Sequence, residues 1–260
     1  MDQNIKRSIL EKLHKTEEIH QVKILLAVES GSRGWGFAAT NADYDCRFIY
    51  VHKKDWYLSV LPRKEFIEYD VDEIFDINGY DISRALKYIM KPQATIYEWI
   101  SSNESYIRDE SAHKKLQELT LEFFNPIPIS YHYLSLAKKM FCEIDEVEQA
   151  KIKKYFYILR PIANLNFIWE YRKMPYMEYH KTLAEIPMKP EIMAAIEEIT
   201  VRKMTSKEHD MIPKFEPLIS YFRSEITRFE HCLKEMKYDN KKSYDSVDDV
   251  FRSIIKDAWE

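Results

Sequence analysis

The chain has 260 residues, 45% hydrophobic and 32% charged, with a formal net charge of −4, enough for one large domain or two small ones with ample core. The slightly acidic balance argues against a uniformly basic, nonspecific nucleic-acid-binding surface, although a local basic groove remains compatible with it. No apolar stretch reaches membrane-span length and Met1-Asp2-Gln3-Asn4-Ile5-Lys6 is not a basic stub before a greasy segment, so a cytoplasmic chain with no membrane partner is expected.

In chain order, Ile5, Ile9, Leu10 and Leu13 recur at helical spacing and predict an amphipathic helix over about 4–20. Strands are predicted near 22–29, 43–52 and 65–77, from short β-branched runs bounded by turn residues. The pattern then turns helical. All four glycines lie at or before Gly79, which fits a long helical remainder jointed at prolines. Asn125-Pro126-Ile127-Pro128 separates two helices, and helices ending near Lys173 and beginning near Pro190 frame a loop containing Pro175 and Pro187. Amphipathic segments follow over about 213–236 and 244–258, joined by the polar link Asp239-Asn240-Lys241-Lys242-Ser243. There is no internal repeat and no low-complexity tract.

The chemistry concentrates where the first strand ends. Ile24-Leu25-Leu26-Ala27-Val28 reads as a buried strand that stops at Gly31 and Ser32. Glycine permits positive φ and close approach to the backbone, and Ser32 adds a hydroxyl and an N–H where a short helix begins. Asp43 and Asp45 then open the run Phe48-Ile49-Tyr50-Val51, and side chains two apart on a strand share a face. Paired carboxylates attract a divalent cation such as Mg2+, which prefers oxygen ligands and is shared with substrate phosphates. A Gly-Ser turn or an Asp-x-Asp strand entry taken singly is ordinary turn chemistry; order and spacing together point to metal-dependent chemistry on a phosphate. Gly31-Ser32-Arg33-Gly34 is neither the Gly-x-Ser-x-Gly elbow of serine hydrolases nor a Walker sequence.

The segment from Ala27 to Tyr50, with Gly31-Ser32-Arg33-Gly34-Trp35-Gly36 and Asp43-Tyr44-Asp45-Cys46-Arg47-Phe48-Ile49, resembles the signature of the DNA polymerase beta-like nucleotidyltransferase superfamily. It is most similar to the bacterial and phage branch found beside RNA-repair genes. Gly79-Tyr80-Asp81-Ile82-Ser83-Arg84-Ala85-Leu86-Lys87, Lys91-Pro92-Gln93-Ala94-Thr95-Ile96-Tyr97-Glu98-Trp99-Ile100-Ser101-Ser102 and Lys153-Lys154-Tyr155-Phe156-Tyr157-Ile158-Leu159-Arg160-Pro161 resemble further segments of that family. Tyr80 and Gln93 depart from its usual Trp and Asn. About two thirds of the chain is covered, most specifically from Ala27 to Arg160.

The resemblance implies a third carboxylate on a later strand, flanked by apolar residues. Phe75-Asp76-Ile77 has that shape and is preferred. Tyr80-Asp81-Ile82 has the same flanks, but Gly79 and the spacing of Ile82, Leu86, Ile89 and Met90 make Asp81 a helix cap. Glu68 and Asp70 read as solvent-facing strand residues. On the middle helix, Lys153, Tyr157, Arg160 and Asn164 share a face by spacing. Cationic side chains there would stabilise a triphosphate and an aromatic ring would stack on a base; solvated lysines and core-packed tyrosines are the ordinary alternative. Arg33 touches a phosphate or pairs with Glu29 or another acid. His52 and His132 lack metal-spaced partners, and Cys46, Cys142 and Cys232 lack zinc or disulfide spacing, so they are expected as free, buried thiols.

These readings converge on an α/β (α+β) fold: a small mixed β-sheet nucleotidyltransferase core over 1–105, then an α-helical nucleotide- and acceptor-binding domain over 106–260, with substrate between them. Asp43, Asp45 and Asp76 are the expected catalytic and metal residues, holding Mg2+ or Mn2+. Gly31, Ser32, Arg33, Lys153, Lys154, Tyr157 and Arg160 are the expected nucleotide-binding residues. The expected partner is a nucleoside triphosphate; the acceptor, an RNA end, a small molecule or a protein, is not legible, nor is oligomeric state. The rival reading is a noncatalytic nucleotide- or RNA-sensing module on the same fold.

Overall fold

A computed structural model describes residues 3–39, 42–69, 74–205, 210–238 and 244–260. Asp70 and the polar link Asp239-Asn240-Lys241-Lys242-Ser243 lie outside the described residues. The fold is mixed α/β, and the chain forms two compact units. The first comprises Met1–Gly34, Asp43–Phe124 and Asn240–Glu260, the second Trp35–Ala42 and Asn125–Asp239.

In the first unit the described elements are α1 (Gln3–His20), β1 (Val22–Glu29), α2 (Gly31–Gly34), β2 (Tyr44–His52), α3 (Lys54–Tyr57), β3 (Phe66–Glu68), β4 (Phe75–Asp81), α4 (Ile82–Met90), α5 (Ala94–Ser101), β5 (Ser105–Arg108) and α6 (Glu110–Phe123). The sheet order is β3-β4-β2-β1-β5. β1 and β2 are antiparallel, but β2 and β4 run parallel, with Asp45 opposite Asp76 and Tyr50 opposite Asp81. One sheet face packs Ile24, Phe48, Tyr50 and Ile77 with Ile9 and Leu13 of α1. These side chains are nearly or fully removed from water, and such apolar burial is the main favourable term in folding.

Two strands occupy the region expected as one strand over 65–77, and the second runs on through Gly79 to Asp81. Gly79 sits inside β4 because a Cβ there would lie 2.4 Å from the Phe48 ring; in this strand it provides close packing and not a break. β5, which the sequence pattern did not suggest, pairs with β1 at the sheet edge. His52 ends β2.

The second unit holds α7 (Pro126–Cys142), β6 (Gln149–Lys151), α8 (Ile152–Tyr171), α9 (Tyr179–Glu185), α10 (Pro190–Thr205), β7 (Met211–Pro213) and α11 (Glu216–Glu235). Asn125 caps α7, its side-chain oxygen accepting from the Ile127 N–H at 3.0 Å, with Pro126 in the first turn. α8 is the centre of this unit. Tyr155, Phe156, Ile158, Leu159, Ile162 and Leu165 are all buried, and α7, α9, α10 and α11 pack around it. The stretch expected as a loop before Pro190 contains α9, held by buried Tyr179 and Thr182.

α12 (Asp245–Trp259) returns to the first unit, against β2, α4 and α6. Contacts therefore divide the chain differently from a single cut after residue 105, because α6 and α12 pack with the sheet's own helices. Among the described residues no helix is long and apolar enough to cross a membrane.

Candidate functional site

β1 ends at Glu29, and the chain turns at once. The Ser30 N–H donates to the Asp45 carbonyl at 2.8 Å and the Gly34 N–H to the Ser30 carbonyl at 3.0 Å, which folds residues 31–34 into the short helix α2. Gly31 has φ +57°, and a Cβ there would lie 1.8 Å from Asp45 Oδ2. The turn backbone therefore rests on the Asp45 carboxylate, a contact only glycine permits.

The parallel pairing of β2 with β4 places Asp45 and Asp76 side by side. Between them lies Arg47. Its Nη2 donates to Asp45 Oδ1 at 2.8 Å and to Asp76 Oδ2 at 2.7 Å, while Nη1 donates to the Asp76 carbonyl at 2.7 Å and the Cys46 carbonyl at 3.2 Å. Asn78 donates to the other Asp76 oxygen at 3.1 Å. Asp43, exposed at the start of the motif, is close enough to push the Asp45 carboxyl upward. Burial is the largest cause raising the Asp45 pKa above the ordinary 3.8; Arg47 opposes it, and Asp43 and Asp76 add to it.

Behind Asp45 is a second carboxylate relay. The Asp45 N–H donates to Glu29 Oε1 at 3.0 Å and the Tyr106 hydroxyl donates to Glu29 Oε2. Glu29 is buried, and burial raises its carboxyl pKa although both hydrogen bonds oppose the shift. Burial likewise pushes the neighbouring Cys46 thiol up, so Cys46 stays a protonated packing residue. Cys142, by contrast, is exposed and Cys232 half-buried, which corrects the expectation of three buried thiols: both lie on helix faces turned partly to solvent.

The carboxylates of Asp43, Asp45 and Asp76 offer only oxygen donors, which suits Mg2+ or Mn2+, and the like charge of Asp43 and Asp76 adds to the burial that raises the Asp45 pKa. The donor chemistry fits a divalent ion. Among the described residues, however, no three His, Cys, Asp or Glu side chains are already gathered as metal ligands; the cation joining Asp45 to Asp76 is the Arg47 guanidinium.

Asp81 stands apart from this cluster. It is fully buried and caps α4, accepting from the Ser83 N–H at 2.8 Å, the Ser83 hydroxyl at 2.6 Å and the Tyr57 hydroxyl at 2.8 Å. Arg33 lies over the Tyr44 ring at 3.9 Å and donates from Nε to the Asp43 carbonyl at 3.0 Å. It braces the Asp43 end of the motif, and Ser32 is half-buried on α2. Glu68 is exposed on β3, and His132 is exposed on α7. His52 is buried and stacked on Trp56, with ring centroids 3.9 Å apart.

Within the helical unit, Trp35, Gly36 and Phe37 pack on α8 and α9. The Arg160 guanidinium lies 4.2 Å from the Trp35 ring centroid, Tyr157 meets that ring edge-on at 5.7 Å, and the Tyr179 N–H donates to the Trp35 carbonyl at 3.0 Å. Arg160 is 2% exposed and Asn164 fully buried. Lys154 pairs with Glu143 at 2.7 Å, and Lys153 and Tyr157 are half-buried. The structure thus gathers Tyr157 and Arg160 at Trp35, buries Asn164 one turn further along α8, and sends Lys154 to a different partner.

Sequence reasoning passed over Arg47, Glu29, Asn78 and Tyr106. Arg47 carried a signal, since it follows Asp45 on β2 at the same two-residue spacing by which Asp45 follows Asp43. The other three depend on strand pairing or burial that spacing does not encode.

Comparison with known proteins adds three findings. A family model described as the RNA repair pathway DNA polymerase beta family matches residues 5–253. YcgL, an uncharacterized protein of Bacillus subtilis (strain 168), is 32% identical over 256 residues, spanning 98% of this chain and 98% of that protein. The crystal structure of a nucleotidyltransferase-like protein from Exiguobacterium sibiricum 255-15 aligns at 9% identity and a TM-score of 0.34, over 98% of this chain and 81% of that one.

Proposed function

Because the chain belongs to the RNA repair pathway DNA polymerase beta family, we propose that it is a metal-dependent nucleotidyltransferase. It moves a nucleoside monophosphate from a nucleoside triphosphate to an acceptor, an RNA end being the class the family description favours, and releases pyrophosphate. One observation carries this reading: Asp45 on β2 and Asp76 on β4 are register partners on parallel strands, with Asp43 just before β2 and the Gly31 turn against the Asp45 carboxylate.

In this proposal Asp43, Asp45 and Asp76 hold Mg2+ or Mn2+, which when bound neutralises triphosphate charge and lowers the pKa of the acceptor hydroxyl. The acceptor oxygen bonds to the α-phosphorus, the bond from that phosphorus to the bridging oxygen breaks, and pyrophosphate leaves. Asp76 orients the acceptor hydroxyl and helps remove its proton. Gly31 and Ser32 hold the β- and γ-phosphates through backbone N–H groups and the hydroxyl, with Arg33 alongside. Glu29, hydrogen-bonded to the Asp45 N–H, positions that strand end. Lys153, Lys154, Tyr157 and Arg160 are assigned to nucleotide binding in the helical unit.

A noncatalytic nucleotide- or RNA-sensing module is the second reading, and Arg47 favours it by already neutralising Asp45 and Asp76. Labelled NTP incubated with the protein, Mg2+ or Mn2+, cellular RNA and lysate protein decides between them. Label transfer with pyrophosphate release is the expected result. Tight NTP binding with no release would establish the sensor.

A further inference from the structure

We infer that Arg47 is a resident counter-ion that closes the carboxylate pair against metal until a triphosphate arrives, so that metal loading depends on substrate. The inference rests on the proposed nucleotidyltransferase reading and deepens it. Three observations lead there. First, one guanidinium nitrogen bridges both carboxylates, at 2.8 and 2.7 Å, while the other is anchored on the Asp76 and Cys46 carbonyls. Second, the remaining oxygens are occupied or hemmed in: Asp76 Oδ1 accepts from Asn78, and Asp45 Oδ2 lies under the Gly31 backbone. Third, the Arg47 side chain is only 15% exposed, against 19% for Asp45 and 27% for Asp76.

A divalent ion binding both carboxylates must therefore displace the guanidinium from at least one of them. A charged guanidinium hydrogen-bonded to two partly buried carboxylates resists displacement unless it is offered another anion. A triphosphate is such an anion, since its phosphate oxygens match the planar donor fork as carboxylates do. Metal alone competes with Arg47, whereas metal with NTP gives Arg47 a new partner. The coupling is reciprocal: the nucleotide raises metal affinity by the same factor as the metal raises nucleotide affinity. Asp43-x-Asp45-x-Arg47 thus places two proposed ligands and their internal competitor within five residues, with Asp45 and Arg47 both on β2.

The test is Mn2+ binding by the full chain, followed by the paramagnetic resonance of free Mn2+, with and without a non-hydrolysable NTP analogue. Wild type, Arg47→Met, Arg47→Lys, Asp45→Asn and the double variant Arg47→Met/Asp45→Asn are compared. Without nucleotide, Arg47→Met is expected to bind Mn2+ at least about tenfold more tightly than wild type, and the double variant to lose that gain. The analogue's enhancement of Mn2+ affinity should be large in wild type and small in Arg47→Met. Should Arg47→Met fold poorly, Arg47→Lys carries the same comparison, because an ammonium cannot span both carboxylates and both carbonyls as the fork does. Arg47 variants that bind Mn2+ no better than wild type, while Asp45→Asn abolishes wild-type binding, would overturn the counter-ion role and leave the metal site standing. Absence of Mn2+ binding in every chain, with or without nucleotide, would overturn both.

Discussion

Two polar clusters lie inside this molecule, and they are held on different terms. Around Asp45, Glu29 and Asp76 each have both carboxylate oxygens hydrogen-bonded, to Tyr106, the Asp45 N–H, Arg47 and Asn78. In the helical unit, by contrast, both amide atoms of Asn164 on α8 and the indole N–H of Trp35 are buried with no hydrogen-bond partner among the described residues. The difference follows from magnitudes. An unpaired buried carboxylate costs several kcal/mol, so the sheet supplies partners, whereas an unpaired neutral amide costs about 1–3 kcal/mol, which an aromatic core can absorb. The carboxylates of the first cluster should therefore respond to charge, cations and pH; the Asn164 amide of the second should respond to packing.

The strongest way to break that contrast is to remove charge from the first cluster. Asp43→Asn and Asp45→Asn are each expected to lower turnover at least about a hundredfold with folding preserved, because the replacements keep shape and delete a metal-binding charge. Pyrophosphate release and melting curves measured together check this. Turnover near wild type in either variant would remove the two-carboxylate assignment.

A second substitution pair separates charge used for chemistry from charge used for structure. Asp76→Ala should cost mainly turnover. Asp81→Ala should keep turnover and lose about 2–4 kcal/mol of stability, since it deletes a cap and strands the Tyr57 hydroxyl it serves. If Asp81→Ala abolishes pyrophosphate release at unchanged stability and Asp76→Ala does not, the third carboxylate has been misassigned.

How far these roles were legible in the sequence depends on the range of the contacts. The strands around Asp43 and Asp45, the Gly31 turn and the Asp81 cap were readable because each is set by neighbours within a few residues. Asp76 was readable from its apolar flanks, but its position opposite Asp45 follows from a parallel register that spacing alone does not fix. Gly79 read as a strand end because glycine usually punctuates; the Phe48 ring that fills its missing Cβ space is 31 positions away in the chain. β5 is four residues long, ends in a charge and shows no alternation strong enough to announce a strand. α12 joined the sheet unit through packing on α4 and β2, and such long-range partners leave no mark in local periodicity.

The pH response should sharpen the contrast further. Burial raises the carboxyl pKa of Glu29 above its ordinary 4.5. Such an acid keeps its proton in the folded chain while the unfolded chain has already lost it, so folding stability falls as pH rises between the two values. Without metal, wild type should therefore lose stability relative to Glu29→Gln as pH climbs from about 4.5, the ordinary value. Substitution at Asn164, which does not titrate, should leave the pH dependence unchanged. Denaturant midpoints across pH 4 to 8 measure both, and parallel curves for wild type and Glu29→Gln would refute the burial argument.

The smallest expected effect lies in the second cluster. Asn164→Leu replaces an amide whose oxygen and nitrogen are both unpartnered by an apolar side chain of similar volume. Removing an unsatisfied buried group in this way is nearly neutral or stabilising, so the midpoint should shift by no more than about 1 kcal/mol, and upward if at all. The same Leu replacing a hydrogen-bonded amide would cost about 1–3 kcal/mol. A loss of that size on chemical denaturation would mean that Asn164 is satisfied in the folded protein, and the two clusters would then be held on the same terms.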